Sequence, residues 1–340
     1  MPIRAELFER KENGKVRCHL CQRRCTIPEG KRGFCGVRIN HGGELFTLTY
    51  GNLSAVESRP IEIKPFFHYH PGSTSLTISS WSCNLRCAWC QNHHLSGRLP
   101  PPQPPYPLSP QEVMELAEGD QGVCVSFNEP TLLFEFCLDL FPLAKEKGLY
   151  CCFVSNGMLS IEALEMLIDA GLDGINVDIK GRQEVYDRFC GGGKVEEIWR
   201  LAAEAQRRGV HTEIVCLLVT RVSDDEDTVK EIISRHLDLL GPQVPIHFTR
   251  YFPARDFTEP PTPLGHLERA WEMAKEAGIH YVYLGNVGEK EDTYCPTCGR
   301  RLIKRRGFST IWVGLLEGNR CPGCGTPIPI VGEARPSRAY

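Results

Sequence analysis

The sequence has no run of about 18 apolar residues, so we expect no membrane-spanning helix. Its first 17 residues, MPIRAELFERKENGKVR, lack an apolar core, and we therefore expect no secretion signal. Net charge is also nearly absent, at −3 over 340 residues, although both ends of the chain are basic. Residues 1–40 carry ten Lys/Arg against four Asp/Glu, and residues 295–340 carry eight against two. Such ends either dock on the acidic middle of the chain or contact an acidic or phosphate-bearing partner.

Cysteine, in contrast, is abundant, with 17 residues. An odd number of cysteines in a long chain without a secretion signal indicates a reducing compartment, so we expect a cytoplasmic protein with metal or cluster sites. Eleven of them fall into three groups. The other six stand in apolar surroundings and are expected in the core: Cys124, Cys137, Cys151, Cys152, Cys190 and Cys216.

The C-terminal group is Cys295, Cys298, Cys321 and Cys324, in two C-P-x-C-G motifs that 22 residues separate. Each C-x2-C turn places two sulfurs on one metal ion, and the glycine that follows permits the tight turn. The pattern predicts tetrahedral coordination by four sulfurs, with zinc favoured over a rubredoxin-type iron. A segment of about 45 residues has too little core to fold alone, so the metal would hold it together.

The N-terminal group is Cys18, Cys21, Cys25 and Cys35, spaced C-x2-C-x3-C-x9-C with basic residues between. Four sulfurs at this spacing hold either zinc or a second [4Fe–4S] cluster. An arm of unliganded thiols is a third interpretation, although such thiols oxidise readily.

The middle group is Cys83, Cys87 and Cys90 in WSCNLRCAWCQN, with no further cysteine before Cys124. Iron–sulfur clusters usually take four cysteines, so three thiolates would leave one iron open to a cofactor or substrate, which could receive an electron there. The ring of Trp89 is placed to pack on a planar cofactor group. A zinc site closed by His93 or His94 is the alternative.

These residues resemble the signature of the radical SAM superfamily, C-x3-C-x-aromatic-C. The resemblance implies that S-adenosylmethionine (SAM) chelates the open iron of a [4Fe–4S] cluster. Reductive cleavage would then give a 5′-deoxyadenosyl radical that abstracts a hydrogen atom from a substrate. RPIEIKPFFHYHPGSTSLTISSWSCNLRCAWCQNHHLS, VSFNEPTLLFEF, VSNGM, DGINVDIKG and IHFTRYFP resemble the branch of the pyruvate formate-lyase-activating enzymes.

The four-cysteine arm and the tail YVYLGNVGEKEDTYCPTCGRRLI narrow the resemblance to the AmmeMemoRadiSam system radical SAM enzymes, over nearly the whole chain. That family implies AMMECR-type and Memo-type proteins as partners and supplies no settled substrate. An electron donor such as ferredoxin or flavodoxin is expected as a further partner. A glycyl-radical-enzyme activase remains an alternative function. A zinc-stapled module that binds nucleic acid or protein is the alternative from another class.

After residue 72, short apolar β-rich runs alternate with amphipathic stretches. This alternation predicts an α/β fold with a parallel sheet and helices outside. Six or seven βα units are too few for a closed eight-fold barrel, so we expect a partial (β/α)6 barrel. The predicted parts are a four-cysteine extension (1–70), the radical SAM core (71–290) and a zinc-ribbon-like tail (291–340). The first predicted helix begins at Ser109, which forms a capping box with Glu112. Further helices are predicted at 131–148, 160–171, 195–209, 225–241 and 264–278.

Polar residues follow several predicted strands, where function collects in parallel α/β folds. The resemblance implies that Asn128 and Glu129 hold the methionyl amino group of SAM, although Glu129 also fits a helix N-terminal acid. Ser155 and Asn156 follow the next strand and are expected at the same edge.

Asp178 and Lys180 lie two residues apart and so share one face of a strand. The resemblance implies that this face of the strand points to SAM and that Lys180 is a candidate to bind the carboxylate of SAM. A structural ion pair is the alternative.

His247 and Arg250 are candidates to touch substrate, and His247 fits a core histidine equally well. The segment CLLVTRVSDDEDT departs from the pattern of the relatives, so their adenine or ribose contacts are not carried over to it. Gly191–Gly193 is expected to be a loop without a nucleotide role.

Overall fold

The structure, a computed structural model, describes residues 2–337. The strands are β1 (Ile3–Arg4), β2 (Phe8–Arg10), β3 (Val16–Cys18), β4 (Thr26–Ile27), β5 (Arg38–His41), β6 (Glu44–Thr47), β7 (Asn52–Leu53), β8 (Ala55–Pro60), β9 (Thr74–Ser79), β10 (Tyr106–Pro107), β11 (Gly122–Val125), β12 (Tyr150–Ser155), β13 (Gly174–Ile179), β14 (His211–Leu218), β15 (Ile246–Arg250), β16 (Val282–Gly285), β17 (Thr293–Tyr294), β18 (Arg301–Arg306) and β19 (Ser309–Val313). The helices are α1 (His93–Ser96), α2 (Pro110–Leu116), α3 (Phe134–Glu146), α4 (Ile161–Ala170), α5 (Gln183–Phe189), α6 (Val195–Arg207), α7 (Glu226–Leu239) and α8 (Leu264–Glu276).

An eight-stranded sheet forms the centre of the molecule, in the order β16-β15-β14-β13-β12-β11-β9-β8. Seven strands of this sheet, β9 and β11 to β16, are parallel, and β8 is antiparallel to β9 at one edge. In the described chain β8 and β16 do not pair with each other, so the barrel is open. The predicted partial α/β barrel is confirmed. Because the strands are parallel, their carboxyl ends meet at one edge, where ligands of such folds bind.

Local signals in the sequence explain most of the outer helices. At α2, Ser109 and Glu112 form the predicted capping box, with Pro110 in the first turn. Gly171 adopts a left-handed conformation with φ 119° and ends α4, where an L side chain would be strained. The helix predicted from residue 131 begins as α3 at Phe134 instead, because Pro130–Leu133 forms a 3₁₀ turn. The short helix α5 was not predicted.

The two ends of the chain form small antiparallel sheets on the barrel. The N-terminal part contains the sheets β1-β6-β5 and β2-β3-β4, and the tail contains β17-β18-β19. Leu302 and Ile303 of the tail pack with Tyr281 and Tyr283 near β16, and Phe67 completes this second core. No helix between residues 2 and 337 combines the length and the apolar character that a membrane crossing needs. The three-part division at residues 70 and 290 stays a prediction.

Candidate functional site

A cavity of about 410 Å³ opens at the carboxyl edge of the sheet. It lies beside the loop that follows β9 and also touches the ends of β11, β12 and β13. Its volume falls within the range of small-molecule sites, about 300–1,000 Å³. The cavity brings together all ten residues that the sequence predicts for the cluster and SAM: Cys83, Cys87, Trp89, Cys90, Asn128, Glu129, Ser155, Asn156, Asp178 and Lys180.

The sulfurs of Cys83, Cys87 and Cys90 face this cavity at a wider spacing than a single metal ion requires. Among residues 2–337, no three Cys, His, Asp or Glu ligand atoms outside the C-terminal group lie within 4.8 Å of one another. A zinc ion would hold its sulfurs about 3.8 Å apart, because each Zn–S bond is about 2.3 Å long. A cube separates them further, since each thiolate binds a different iron. The three thiols therefore do not have the single-ion spacing that the C-terminal group has.

Backbone and side-chain donors surround these sulfurs. The Cys83 sulfur accepts hydrogen bonds from the Leu85 N–H at 3.3 Å and from Asn156 Nδ2 at 3.5 Å. Cys90 Sγ lies 3.2 Å from the Ser96 hydroxyl. Such donors stabilise sulfur that carries negative charge and tune the redox potential of a cluster.

The thiol of Cys87 has a further neighbour in the barrel. A hydrogen bond from the Cys190 thiol lowers the pKa of Cys87 to about 7, against the opposing effect of burial. Cys190 is fully buried, as the sequence predicts. His93 and His94 are exposed and do not line the cavity, so they do not close a zinc site there.

Glu129 is 2% exposed and follows β11. Its carboxylate accepts hydrogen bonds from the Thr131 N–H (3.1 Å), the Ser155 hydroxyl (2.8 Å) and the Asn156 N–H (2.9 Å). Burial raises its pKa, and these donors oppose the rise. The hydrogen bond from the Thr131 N–H caps the 3₁₀ turn Pro130–Leu133. Glu129 therefore acts as a helix N-terminal acid, the alternative interpretation, and also lines the cavity.

Asn128 ties the cysteine loop to the sheet. Its Oδ1 accepts from the Ser80 N–H at 3.3 Å, and its Nδ2 donates to the Ser82 carbonyl at 2.9 Å. Ser82 and Phe127 have positive φ angles of 70° and 69°, which non-glycine residues rarely adopt. Strained backbone of this kind clusters at functional sites.

Asp178 and Lys180 form the ion pair that was the alternative interpretation, with Nζ 2.6 Å from Oδ2. Burial opposes the charge of Lys180, but the Asp178 carboxylate raises the pKa of its ammonium well above the ordinary value. The second oxygen of Asp178 is buried without a hydrogen-bond partner in the described chain. Because an orphaned acceptor is costly, it fits a donor on a bound ligand.

Three predicted residues have surroundings that change their interpretation. The ring of Trp89 packs on Phe189 and Phe257, with centroids 5.8 and 5.6 Å away, so aromatic neighbours already cover much of it. His247 donates through its Nε2–H to Glu213 Oε2 at 2.7 Å and is 2% exposed, which makes it a core histidine. Arg250 bonds the Thr262 carbonyl, and neither it nor His247 lines the cavity.

Lys64 is a cavity residue that was not predicted. Its side chain is almost fully buried, and its Nζ lies 4.2 Å from the centre of the Phe127 ring. Within the part of the chain that the structure describes, no carboxylate lies within 4.0 Å of it. Burial lowers its pKa. A lysine inside the apolar run IEIKPFF was the available signal.

The C-terminal cysteines form a compact group. All four sulfurs lie within 4.8 Å of one another, with 3.5 Å between Cys295 and Cys324 and 3.6 Å between Cys298 and Cys321. Gly299 and Gly325, the last residues of the two C-P-x-C-G motifs, have φ angles of 72° and 75°. This geometry fits one tetrahedral zinc ion, as the sequence predicts.

A larger cavity of about 720 Å³ lies between β16 and the tail, and its wall includes Trp271, Lys290 and Glu291. Of the predicted site residues, Cys295 alone lines it. It lacks the convergence of predicted groups that marks the cysteine cavity.

Comparison with known proteins defines the class. Residues 78–232 match the model of the Radical SAM superfamily. This chain belongs to the radical SAM superfamily and shares a family with the “Uncharacterized protein MJ0808” of Methanocaldococcus jannaschii, to which it is 38% identical over 334 residues, 96% of this chain and 99% of that protein. Members of the superfamily bind a [4Fe–4S] cluster and SAM, which are therefore the cofactors. A module without these cofactors does not agree with this membership.

Two further matches are more distant. The “Putative glycyl-radical enzyme activating enzyme MJ1227” of the same organism is 24% identical over 171 residues, 46% of this chain and 67% of that protein. The crystal structure of Streptococcus suis SuiB bound to S-adenosylmethionine is 14% identical, with a TM-score of 0.49. That match covers 61% of this chain and 49% of SuiB.

Proposed function

We propose that Cys83, Cys87 and Cys90 hold the [4Fe–4S] cluster and that this chain generates a 5′-deoxyadenosyl radical to abstract hydrogen from a substrate in the same cavity. The supporting observation is that ten residues predicted independently of the structure surround one cavity at the carboxyl edge of the sheet. When bound, the cluster would supply the electron for reductive cleavage of the C5′–S bond of SAM, with methionine and the 5′-deoxyadenosyl radical as the products.

The chain's own residues bind and orient the amino acid end of SAM. The free oxygen of Asp178 accepts from a ligand donor, and the Lys180 ammonium offers its remaining protons to the methionyl carboxylate. Glu129 has one unused acceptor position on Oε2, which suits the methionyl amino group. Asn128 positions the cysteine loop, and Trp89 and its aromatic neighbours exclude water.

Within the superfamily we propose an AmmeMemoRadiSam system enzyme that modifies a metabolite or a residue of a partner protein. The four-cysteine arm, the barrel and the four-cysteine tail together support this assignment. AMMECR-type and Memo-type proteins are then the partners, with ferredoxin or flavodoxin as donor. Installing a glycyl radical on a partner enzyme is the second candidate, which the likeness to MJ1227 favours.

Reductive SAM cleavage tests the proposal. Anaerobically reconstituted protein with dithionite is expected to form 5′-deoxyadenosine, and Cys87→Ala is expected to abolish it. Cys137→Ala is the matched control, since Cys137 is buried in α3 and does not line the cavity. Product at the wild-type level from Cys87→Ala would contradict the proposal. Deuterium transfer from a labelled metabolite or glycyl residue into 5′-deoxyadenosine separates the two candidate substrate classes.

A further inference from the structure

Four N-terminal cysteines line one small cavity on the barrel side of the arm: Cys18, Cys21, Cys25 and Cys35. As at the SAM site, no three sulfurs of this group lie within 4.8 Å of one another. The C-terminal group shows that four cysteines of this chain can take the tighter spacing that a single ion requires. The N-terminal thiols instead line a common cavity without gathering into a single-ion group.

The wall of this cavity carries two polar donors without acceptors. Arg38 is 2% exposed and Asn84 is 0% exposed, and both line the cavity. In the described chain, neither Arg38 Nε nor Asn84 Nδ2 has a hydrogen-bond partner. Unused donors in a buried wall are costly unless an acceptor occupies the space. The sulfides and thiolates of an anionic cluster are such acceptors. Leu20, Ile27 and Leu132 form the apolar remainder of the wall.

Hydrogen bonds join this cavity directly to the loop of the SAM site. The Ser82 hydroxyl, one residue before Cys83, donates to the Cys35 carbonyl at 2.5 Å. Arg23 Nε donates to the carbonyl of Asn84, the residue after Cys83, also at 2.5 Å. Asn84 Oδ1 in turn accepts from Asn156 Nδ2 at 2.8 Å, and the same amide contacts the Cys83 sulfur.

The segment that leads to Cys35 is basic and exposed. Lys31 and Arg32 are exposed in the segment that leads to Cys35, and Phe34 is 39% exposed. The guanidinium groups of Arg23 and Arg86 lie 3.4 and 4.8 Å from the centre of the Phe34 ring. A cationic surface with one exposed aromatic ring suits the acidic surface of a carrier protein.

We propose that Cys18, Cys21, Cys25 and Cys35 bind a second [4Fe–4S] cluster that passes single electrons from an acidic, low-potential carrier protein to the cluster on Cys83, Cys87 and Cys90. The carrier is oxidised by one electron and the second cluster is reduced. That cluster returns to its oxidised state as the SAM cluster is reduced, and the electron finally enters the breaking C5′–S bond. No proton moves in the relay. The inference rests on the proposed function.

Metal analysis of the full chain purified without oxygen tests the site. The wild-type protein is expected to contain about eight irons and about one zinc, since each cube holds about four irons. The double variant Cys21→Ala/Cys25→Ala should keep about four irons and all its zinc. Cys83→Ala/Cys87→Ala/Cys90→Ala should also keep about four.

The wild-type count decides the question even where a variant does not fold. About four irons with about two zinc ions would overturn the second cluster and leave the proposed function standing. A protein that retains all its iron after the triple substitution at Cys83, Cys87 and Cys90 would refute the proposed function instead.

Electron delivery tests the relay. With reduced ferredoxin as the donor, Cys21→Ala/Cys25→Ala should lose 5′-deoxyadenosine formation down to the carrier-free background. With titanium(III) citrate, a small reductant that reaches the SAM cluster directly, the same variant should still cleave SAM. The electron paramagnetic resonance signal of the N-terminal cluster should be absent from this variant, and SAM should perturb only the other signal. Equal rates with ferredoxin in variant and wild type would overturn the relay.

Discussion

The two ends of the chain each carry four cysteines, but the two groups are built differently. In the tail, the sulfurs are gathered within 4.8 Å, and Cys298 and Cys324 are exposed. In the arm, the sulfurs stand apart around a cavity whose wall includes the fully buried Asn84 and the nearly buried Arg38. A tight, solvent-facing group suits a structural ion, whereas a wider group with buried donors suits a cluster that exchanges electrons.

The two four-cysteine groups also differ in where they lie relative to the SAM site. The tail sheet packs beside β16 through Tyr281 and Tyr283, away from the cysteine cavity. The arm bonds to the loop of the SAM site on both sides of Cys83. Equal numbers of cysteines therefore do not indicate equal surroundings, and this difference is the basis for proposing a structural ion in the tail and an electron-transfer cluster in the arm.

The largest effect is expected from removing the tail's metal ligands. Cys298→Ser/Cys324→Ser should abolish zinc binding and release the tail sheet, because structural zinc contributes about 10–16 kcal/mol to folding in small zinc domains. Zinc analysis and limited trypsin digestion measure this, with new cleavage expected between Cys295 and Ile330. Iron content should not change. A parallel loss of iron would mean that the two ends are not independent.

A medium effect is expected from the buried ion pair behind the N-terminal cavity. Arg38 donates to Glu135 of α3 through two bonds, of 2.5 and 2.7 Å, and both residues are nearly fully buried. Glu135→Gln should destabilise the protein by about 3–5 kcal/mol, since it leaves a buried charge without its partner. Thermal unfolding measures the loss.

The same variant sharpens the comparison between the two ends. An anionic cluster beside Arg38 would partly replace the lost carboxylate, so the destabilisation should be smaller in iron-loaded protein than in iron-free protein. Zinc occupancy should not matter. The exposed pair of Arg200 and Glu197 is the matched control, and Glu197→Gln there should cost less than about 1 kcal/mol. Equal destabilisation with and without iron would argue against an anionic group near Arg38.

Local patterns in the sequence predicted the parts of the fold that depend on neighbours along the chain. The capping box of α2 and the glycine that ends α4 are set by residues within one turn. The partial barrel followed from the βα alternation, and the rule that parallel strands end at one edge placed the polar residues after β11, β12 and β13 together. The cysteines and Trp89 followed from their spacing and from the family resemblance. The helix α5 and the short strands of the arm were missed because packing, not periodicity, fixes such short elements.

Contacts between distant segments could not be predicted from the sequence. Lys64 reaches Phe127 across 63 positions, and the Trp89 ring meets Phe189 at the end of α5 and Phe257 in the segment between β15 and α8. The choice between an ion pair and a ligand site at Asp178 also depended on which oxygen finds a partner in space. Spacing therefore predicted which residues gather, whereas the detailed hydrogen bonding required the folded chain.

The smallest effect is expected from a single hydrogen bond between the two cysteine sites. Ser82→Ala removes the donor to the Cys35 carbonyl and should cost about 1 kcal/mol, which lowers the melting temperature by roughly 2 °C. Iron and zinc contents should stay at wild-type levels, whereas the ferredoxin-driven rate of SAM cleavage should fall more than the rate with titanium(III) citrate. Ser54→Ala is the control, because its hydroxyl bonds the Ser80 carbonyl in the same region but does not join the two sites. If Ser82→Ala and Ser54→Ala each lower the rate of SAM cleavage equally with ferredoxin and with titanium(III) citrate, Ser82 only stabilises the loop. The arm and the SAM site are then coupled through packing alone.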